Sequence, residues 1–320
     1  NLHTTHVTGA EFNYTIPSKL GTTALGGEIR NEEITSSSLL DTTRQNGGIT
    51  LEHRFRFFDK LTITPGFFLN WTNTAKWQMY PGAEAGFQIT KHVNVYASAN
   101  KSFRIPSFTE MYYKDPANQG NPNLTPEAAW TYEAGTRYLK SGHILRLAAF
   151  RRTGNNLIDW LSVKKTDSTS IWMAQNIGHI STTGGEAQYT WLLTEKNPGA
   201  FITRVDVQYA YLYSESELNA NQAKYLLDHL RHQVILGLDH KVFKSLSHSI
   251  KLRYEDRNIY APYWLVDSRL FWKGKNYNAY VQAHNLLGTE YFEIGRIPMP
   301  GRWVSVGAEF VLPVGKKEQF

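Results

Sequence analysis

The sequence predicts an all-β chain, and within that class a transmembrane antiparallel β-barrel. Three observations predict it. Apolar and polar residues alternate with a period of two along nearly every segment. The alternating runs commonly reach ten residues or more, whereas soluble strands average about 5–6 and a tilted membrane strand needs about 9–11. Short connections take turns with long ones, as in barrels that keep tight turns on one side of a membrane and long loops on the other.

Strands are expected at 4–15, 22–37, 47–58, 61–73, 78–90, 93–103, 128–139, 142–153, 176–193, 200–215, 226–241, 245–258, 262–273, 276–287 and 302–312, fifteen in all. In the fourth, Leu61, Ile63, Pro65, Phe67, Leu69 and Trp71 oppose Thr62, Thr64, Gly66, Phe68 and Asn70. In the sixth, Val93, Val95, Ala97 and Ala99 oppose Asn94, Tyr96, Ser98 and Asn100. In the tenth, Val205, Val207, Tyr209, Tyr211 and Tyr213 oppose Arg204, Asp206 and Gln208. The last sets Val304, Val306, Ala308 and Phe310 against Ser305, Gly307 and Glu309. Several apolar faces end in a ring (Trp71, Trp191, Tyr213), as an interfacial belt requires.

The short turns are Asp59-Lys60, Thr90-Lys91-His92, Lys140-Ser141-Gly142 and Lys273-Gly274-Lys275. The long loops are Arg104–Glu127, Thr153–Gln175, Ser214–Tyr225 and Leu286–Pro300. An odd number of strands, where bacterial single-chain barrels have an even number, implies either barrel sequence upstream of Asn1 or a true count that differs by one. The start at Asn1 without a methionine reads as a processed form or a fragment. Residues 1–312 are expected to be barrel, and 313–320 a short polar tail.

Composition agrees. Of 320 residues 13% are aromatic, with 9 Trp, 18 Tyr and 16 Phe. No apolar run is long enough for a transmembrane helix. The net charge of +6 comes from scattered Lys and Arg without a block of five or six, which reads as solvated loops and a charged interior rather than a nucleic-acid surface. Glu84, Glu186 and Glu309 fall opposite the apolar face, so that face is wet or ion-paired.

Catalytic chemistry finds little support. His3-x-x-His6 and His229-x-x-His232 would point to opposite faces of their strands, which makes neither a metal site. There is no Cys, no phosphate-cradling Gly loop and no Gly-x-Ser-x-Gly elbow. Asp228, His229 and Ser214 or Ser216 could supply a hydrolase constellation, but only sequence proximity links them. A non-enzyme without a cofactor is the expectation. The long loops instead carry rings and amides: Phe108, Tyr112, Tyr113, Asn118, Gln119, Trp160, Trp172, Tyr260, Tyr263, Tyr291 and Phe292. Rigid aromatic area beside adaptable amides suits capture of a bulky ligand, and Tyr112-Tyr113 lies furthest from either strand end.

Asn100-Lys101-Ser102-Phe103-Arg104-Ile105-Pro106-Ser107-Phe108, followed by Gly120-Asn121-Pro122-Asn123-Leu124-Thr125-Pro126-Glu127, resembles the paired FRxP and NPxLxPE boxes of TonB-dependent outer-membrane receptors. The stretch from Asn285 to Phe292, then Pro300-Gly301-Arg302-Trp303, resembles the last loop and final strand of the same family. Gly307, Phe310 and Leu312 resemble the C-terminal signal read by the barrel-assembly machinery. The resemblance implies a 22-stranded barrel around a plug, with about seven strands and the plug outside this chain. It implies a Gram-negative outer membrane, import driven by the TonB complex through that plug, and a scarce metal complex as cargo. Cobalamin or another corrinoid is the first expectation, a ferric siderophore or haem the next, with a passive porin or a hydrolase as rivals. Haem-importing members would carry a His between the boxes, and residues 107–120 have none. A surface lipoprotein is a further candidate partner. Physically, Pro106 ends the strand ladder at the rim, and Asn121-Pro122 and Thr125-Pro126 turn the chain back toward the next strand. Arg104, Pro106, Asn121 and Pro122 therefore read chiefly as loop anchors.

Overall fold

The computed structural model of the chain describes residues 2–166, 169–216, 229–293 and 297–310. Its strands in chain order are β1 (His3–Ser18), β2 (Gly21–Ser36), β3 (Thr42–Phe57), β4 (Leu61–Thr72), β5 (Lys76–Thr90) and β6 (Val93–Arg104). A short helix α1 (Phe108–Tyr112) and a two-residue strand β7 (Asn118–Gln119) follow. Then come β8 (Glu127–Lys140), β9 (His143–Thr166), β10 (Thr169–Leu192), β11 (Ile202–Ser216), β12 (Leu230–Phe243), β13 (Leu246–Arg257), β14 (Tyr263–Lys273), β15 (Tyr277–His284) and β16 (Trp303–Phe310). Among the described residues sixteen strands form one sheet: fifteen run in chain order, each hydrogen-bonded to the next, while β7 leaves the path to pair with β10. This is the expected antiparallel meander, with the fifteen expected strands.

Two compact units share these strands: residues 1–136, 148–185 and 213–227, and residues 137–147, 186–212 and 228–320. In the first unit the pairings Leu25↔Leu51, Leu51↔Phe67 and Phe67↔Pro81 run an apolar row across β2–β5. The opposite face pairs Thr64 with Glu84 and Glu84 with Ser98. On that polar face the ring of Phe68 lies over Gly48, where a Cβ would collide with it. Phe103 completes a stack there, 5.8 Å from Phe68 and 4.0 Å from Tyr80 between ring centroids.

In the second unit, apolar Val207 is 41% exposed while its neighbour Asp206 is 9% exposed. That inversion of the soluble rule is what a lipid-facing exterior requires. Asp206 accepts from Thr190 Oγ1 at 2.6 Å and from Arg204 at 2.9 Å, so the inward charge is fully partnered. Glu309 likewise accepts from Asn278 Nδ2 at 3.0 Å.

The turn at Lys140-Ser141-Gly142 shows why tight connections sit where they do. Ser141 and Gly142 both have positive φ, 50° and 82°, the twist that suits a two-residue hairpin. A Cβ at residue 142 would also meet the carbonyl of Leu192 on β10.

One expectation needs correcting. Residues 153–175 do not form a loop: β9 and β10 run 24 residues each and carry strand pairing through almost all of that segment. At about 3.3 Å per residue each strand spans roughly 80 Å, where about 9–11 residues suffice to cross a bilayer. The alternation simply weakens beyond the membrane, because neither face meets lipid, and the backbone pairing persists without it. Trp160 and Trp172 consequently stand on strands. Leu312, Asp228 and the tail 313–320 lie outside the described residues.

Candidate functional site

The two boxes meet in the first unit. Arg104, at the end of β6, donates through Nε and Nη2 to Glu127 at 3.0 and 2.5 Å. The same guanidinium donates to both oxygens of Glu110 on α1, at 2.8 and 2.9 Å. Two carboxylates thus fill its fork, the arrangement for which a planar guanidinium is better suited than an ammonium. Glu127 Oε1 also accepts from the backbone N–H of Ile158 on β9 at 2.7 Å, which extends the latch to a third strand.

α1 forms where Ser107 follows Pro106. The Ser107 hydroxyl accepts from the Glu110 amide at 3.2 Å, and Glu110 accepts from the Ser107 amide at 2.7 Å, a capping box on a helix of five residues. Burial pushes the Glu110 carboxyl up, but Arg104 and the Ser107 donors outweigh it and hold it below the usual carboxylate value. Pro106 contributes its carbonyl, which accepts from Arg44 at 2.6 Å. Arg44 in turn is paired with Glu32 at 2.6 Å and lies 4.6 Å above the Phe108 ring.

Past α1 the chain folds back under itself. Gly120 sits so close to Met111 that a Cβ would be 2.8 Å from the Met111 carbonyl carbon. The Asn121 amide donates to the Glu110 carbonyl at 2.9 Å, and Asn121 Oδ1 accepts from the Asn123 amide at 3.0 Å. Pro122 and Pro126 need no donor in this turn. Leu124 is buried with Met111, Ile158 and Ala174, and Tyr112 and Trp160 pack against that cluster. Tyr113, by contrast, turns its hydroxyl to Asp115 at 3.0 Å. Asn118 Nδ2 donates to the same carboxylate at 3.0 Å, and the donors from Asn118 hold Asp115 below its ordinary value. Asn118 also pairs in register with Trp172 of β10.

The structure therefore gathers Phe108, Tyr112, Tyr113, Asn118, Trp160 and Trp172 around one outer loop scaffold. Tyr260 and Tyr291 belong to the second unit, where Tyr260 stacks on Phe292 at 5.7 Å and Tyr291 packs tilted against Tyr263 at 4.8 Å between centroids. Tyr263 donates to Glu255 at 2.6 Å, and Glu255, only 2% exposed, also pairs with Arg253 and Arg257 at 3.3 Å each. Gly307 lies beneath the Tyr280 ring, which leaves no room for a Cβ, and Phe310 pairs with Tyr277.

Sequence reasoning missed three residues. Asn176 clamps the second box, accepting from the Thr125 amide at 2.8 Å and donating to the carbonyls of Thr125 and Asn156 at 2.9 and 2.7 Å. Arg44 and Glu255 were missed as well. Arg44 pairs with Glu32 on another strand, and Glu255 is one charge among several on β13, so neither stands out in the sequence. Among the described residues no three side chains of His, Cys, Asp or Glu converge as metal ligands, and no helix is long and apolar enough to cross a membrane.

Comparison with known proteins agrees with this architecture. Residues 1–286 match the family described as TonB dependent receptor-like, beta-barrel. A vitamin B12 transporter, BtuB, of Photobacterium profundum is 24% identical over 239 residues, which cover 71% of this chain and 32% of that protein. BtuB of Vibrio vulnificus is 28% identical over 103 residues, 32% of this chain and 16% of that protein. Among solved structures, the siderophore receptor PirA from Pseudomonas aeruginosa superposes with a TM-score of 0.74 at 16% identity, over 95% of this chain and 54% of that one. The copper transporter OprC gives 0.77 at 12% identity, over 96% and 56%. The chain spans about a third or less of the length of these curated relatives and about half that of the structures. The chain belongs to the TonB-dependent receptor β-barrel family.

Proposed function

We propose that this chain is the barrel portion of an outer-membrane receptor that imports a scarce metal complex, with a corrinoid such as cobalamin as first choice. The outer loop 105–126 carries the receptor reading. It is held by Arg104, Asn176 and the Leu124 cluster, and it presents Tyr112, Tyr113 and Phe108 on a fixed frame. A frame fixed before the ligand arrives lowers the ordering cost of binding. The corrinoid choice is supported by the two related vitamin B12 transporters. A ferric siderophore is the second reading, supported by the likeness to the siderophore receptor PirA, while the lack of a His in residues 107–120 disfavours haem.

Import against a gradient needs energy that this chain has no motif to supply. In the proposal the TonB complex supplies it by pulling on a plug encoded outside these residues. Folding would pass through the barrel-assembly machinery, and a surface lipoprotein could cap the loops. The barrel itself performs no bond chemistry.

Calorimetry on the full-length receptor with cyanocobalamin, ferric enterobactin and haemin tests the proposal. Saturable binding of cyanocobalamin, weakened by Tyr112→Ala or Tyr113→Ala, is expected. Failure of all three ligands, together with a large steady current across a planar bilayer, would replace the receptor with a porin.

A further inference from the structure

Two imidazoles meet on the lipid-facing side of the second unit. His240 on β12 and His248 on β13 are direct cross-strand partners. They share a face with Leu238, Ile250 and Leu270. His240 Nε2 and His248 Nδ1 lie 3.0 Å apart, with the rings edge-on at 88°. The far nitrogen of His248, Nε2, is 2.8 Å from Ser268 Oγ on β14. The far nitrogen of His240, Nδ1, is 3.4 Å from the Lys241 carbonyl. Phe201 packs on His240 at 4.9 Å between centroids.

A hydrogen bond between imidazoles satisfies these nitrogens, but it is a costly choice for this face. Apolar or aromatic cross-strand pairs would stabilise the sheet at no desolvation cost. The pair sits within about three residues, roughly 10 Å of strand, of the short turn between Phe243 and Leu246, so solvent and headgroups are near.

We propose that His240 and His248 chelate a single divalent transition-metal ion, with Cu²⁺ and Ni²⁺ favoured over Zn²⁺. Imidazole nitrogens bind such ions at about 2.0–2.1 Å. Two nitrogens 3.0 Å apart then subtend roughly 91–97° at the ion. That angle fits adjacent positions of a tetragonal centre better than a tetrahedral one. The proton inventory closes without release. The hydrogen between His240 Nε2 and His248 Nδ1 moves to the outer nitrogen of whichever ring carries it, so that His240 Nδ1–H faces the Lys241 carbonyl and His248 Nε2–H faces Ser268 Oγ. Both imidazoles thereby offer a lone pair inward and a donor outward, the tautomer arrangement that second-shell partners impose on metal-binding histidines. Water completes the coordination, and the ion joins β12 to β13. Nothing in this site depends on the identity of the cargo.

The test is copper titration of the full-length, untagged protein in detergent, read by calorimetry and by electron paramagnetic resonance. One Cu²⁺ per chain with hyperfine coupling to two imidazole nitrogens is expected, together with a higher unfolding temperature. His240→Gln and His248→Gln should each abolish the two-nitrogen signature. Ser268→Ala should weaken binding about tenfold. His143→Ala, which removes a ring hydrogen-bonded to Tyr189 instead, should change nothing. A wild-type spectrum with one nitrogen or none overturns the proposal whatever the variants do, as does a two-nitrogen signal that survives both substitutions.

Discussion

Arg104 and Glu127 are 23 positions apart and are joined by two hydrogen bonds, at 3.0 and 2.5 Å. Everything between them, the whole outer excursion from β6 to β8, is closed at its base by that pair. Glu110 adds a second carboxylate to the same guanidinium, so the base of the loop and its helix are fixed by one side chain.

Arg104→Ala should leave both carboxylates without their shared cation while the barrel still assembles. The loss of a charged partner from half-buried acceptors costs about 1–3 kcal/mol locally. Hydrogen exchange at Ile158 and within α1 should accelerate accordingly. Arg104→Lys should restore only part of the protection, because an ammonium cannot serve two carboxylates as a fork does. Unchanged exchange in both variants would remove the latch from the account.

The pH response of the loop follows from Glu110. Its folded-state pKa lies below the ordinary 4.5, so its stabilising contribution is fully present above that value. The contribution is lost as pH falls through the lowered folded value. Cleavage of segment 107–120 by an acid-active protease should therefore rise as pH drops below about 4.5, and Glu110→Gln should flatten that rise.

Val207→Arg places a cation on the lipid face and should cost about 2–4 kcal/mol if it lies near mid-bilayer. Gln208→Arg, one residue on, faces the polar interior and should be nearly silent. Heat-modifiable migration on a gel reads both. Equal defects would mean that the two faces have been assigned wrongly.

Glu255 is the corresponding hub of the second unit. Glu255→Ala leaves Arg253 and Arg257 without the carboxylate they share, a change that costs about 3–5 kcal/mol when the stranded charge is fully buried and less here, where the two side chains keep 30% and 16% exposure. Tyr263, whose hydroxyl Glu255 holds, packs tilted against Tyr291, so protease sensitivity should increase between Asn285 and Pro300. An unaltered cleavage pattern would show that the last loop is anchored elsewhere.

Much of the fold was legible because each strand must show lipid one face and water the other. The run from Val205 to Tyr213 announces itself in this way, and so do the tight turns at Ser141-Gly142. The β9–β10 hairpin was not legible beyond the membrane, since outside lipid nothing forces Ile158, Trp160 or Trp172 into alternation. The paired boxes could be found, yet the bond that unites them could not, because nothing in their spacing marks Arg104 and Glu127 as facing each other across the loop between β6 and β8. Asn176 was less visible still, as an amide on a strand carries no sign of the carbonyls it will hold.

The central claim is that from Arg204 to Tyr211, past the register shift near Ile202, the odd-numbered residues of β11 face lipid and the even-numbered ones face the interior. Nitroxide labels at each position from 204 to 211, in the protein reconstituted into bilayers, test it most directly. Oxygen accessibility should peak at 205, 207, 209 and 211, and that of a water-soluble nickel chelate at 204, 206, 208 and 210. A profile without two-residue periodicity, or one in phase for both reagents, would contradict the transmembrane barrel and the receptor built upon it.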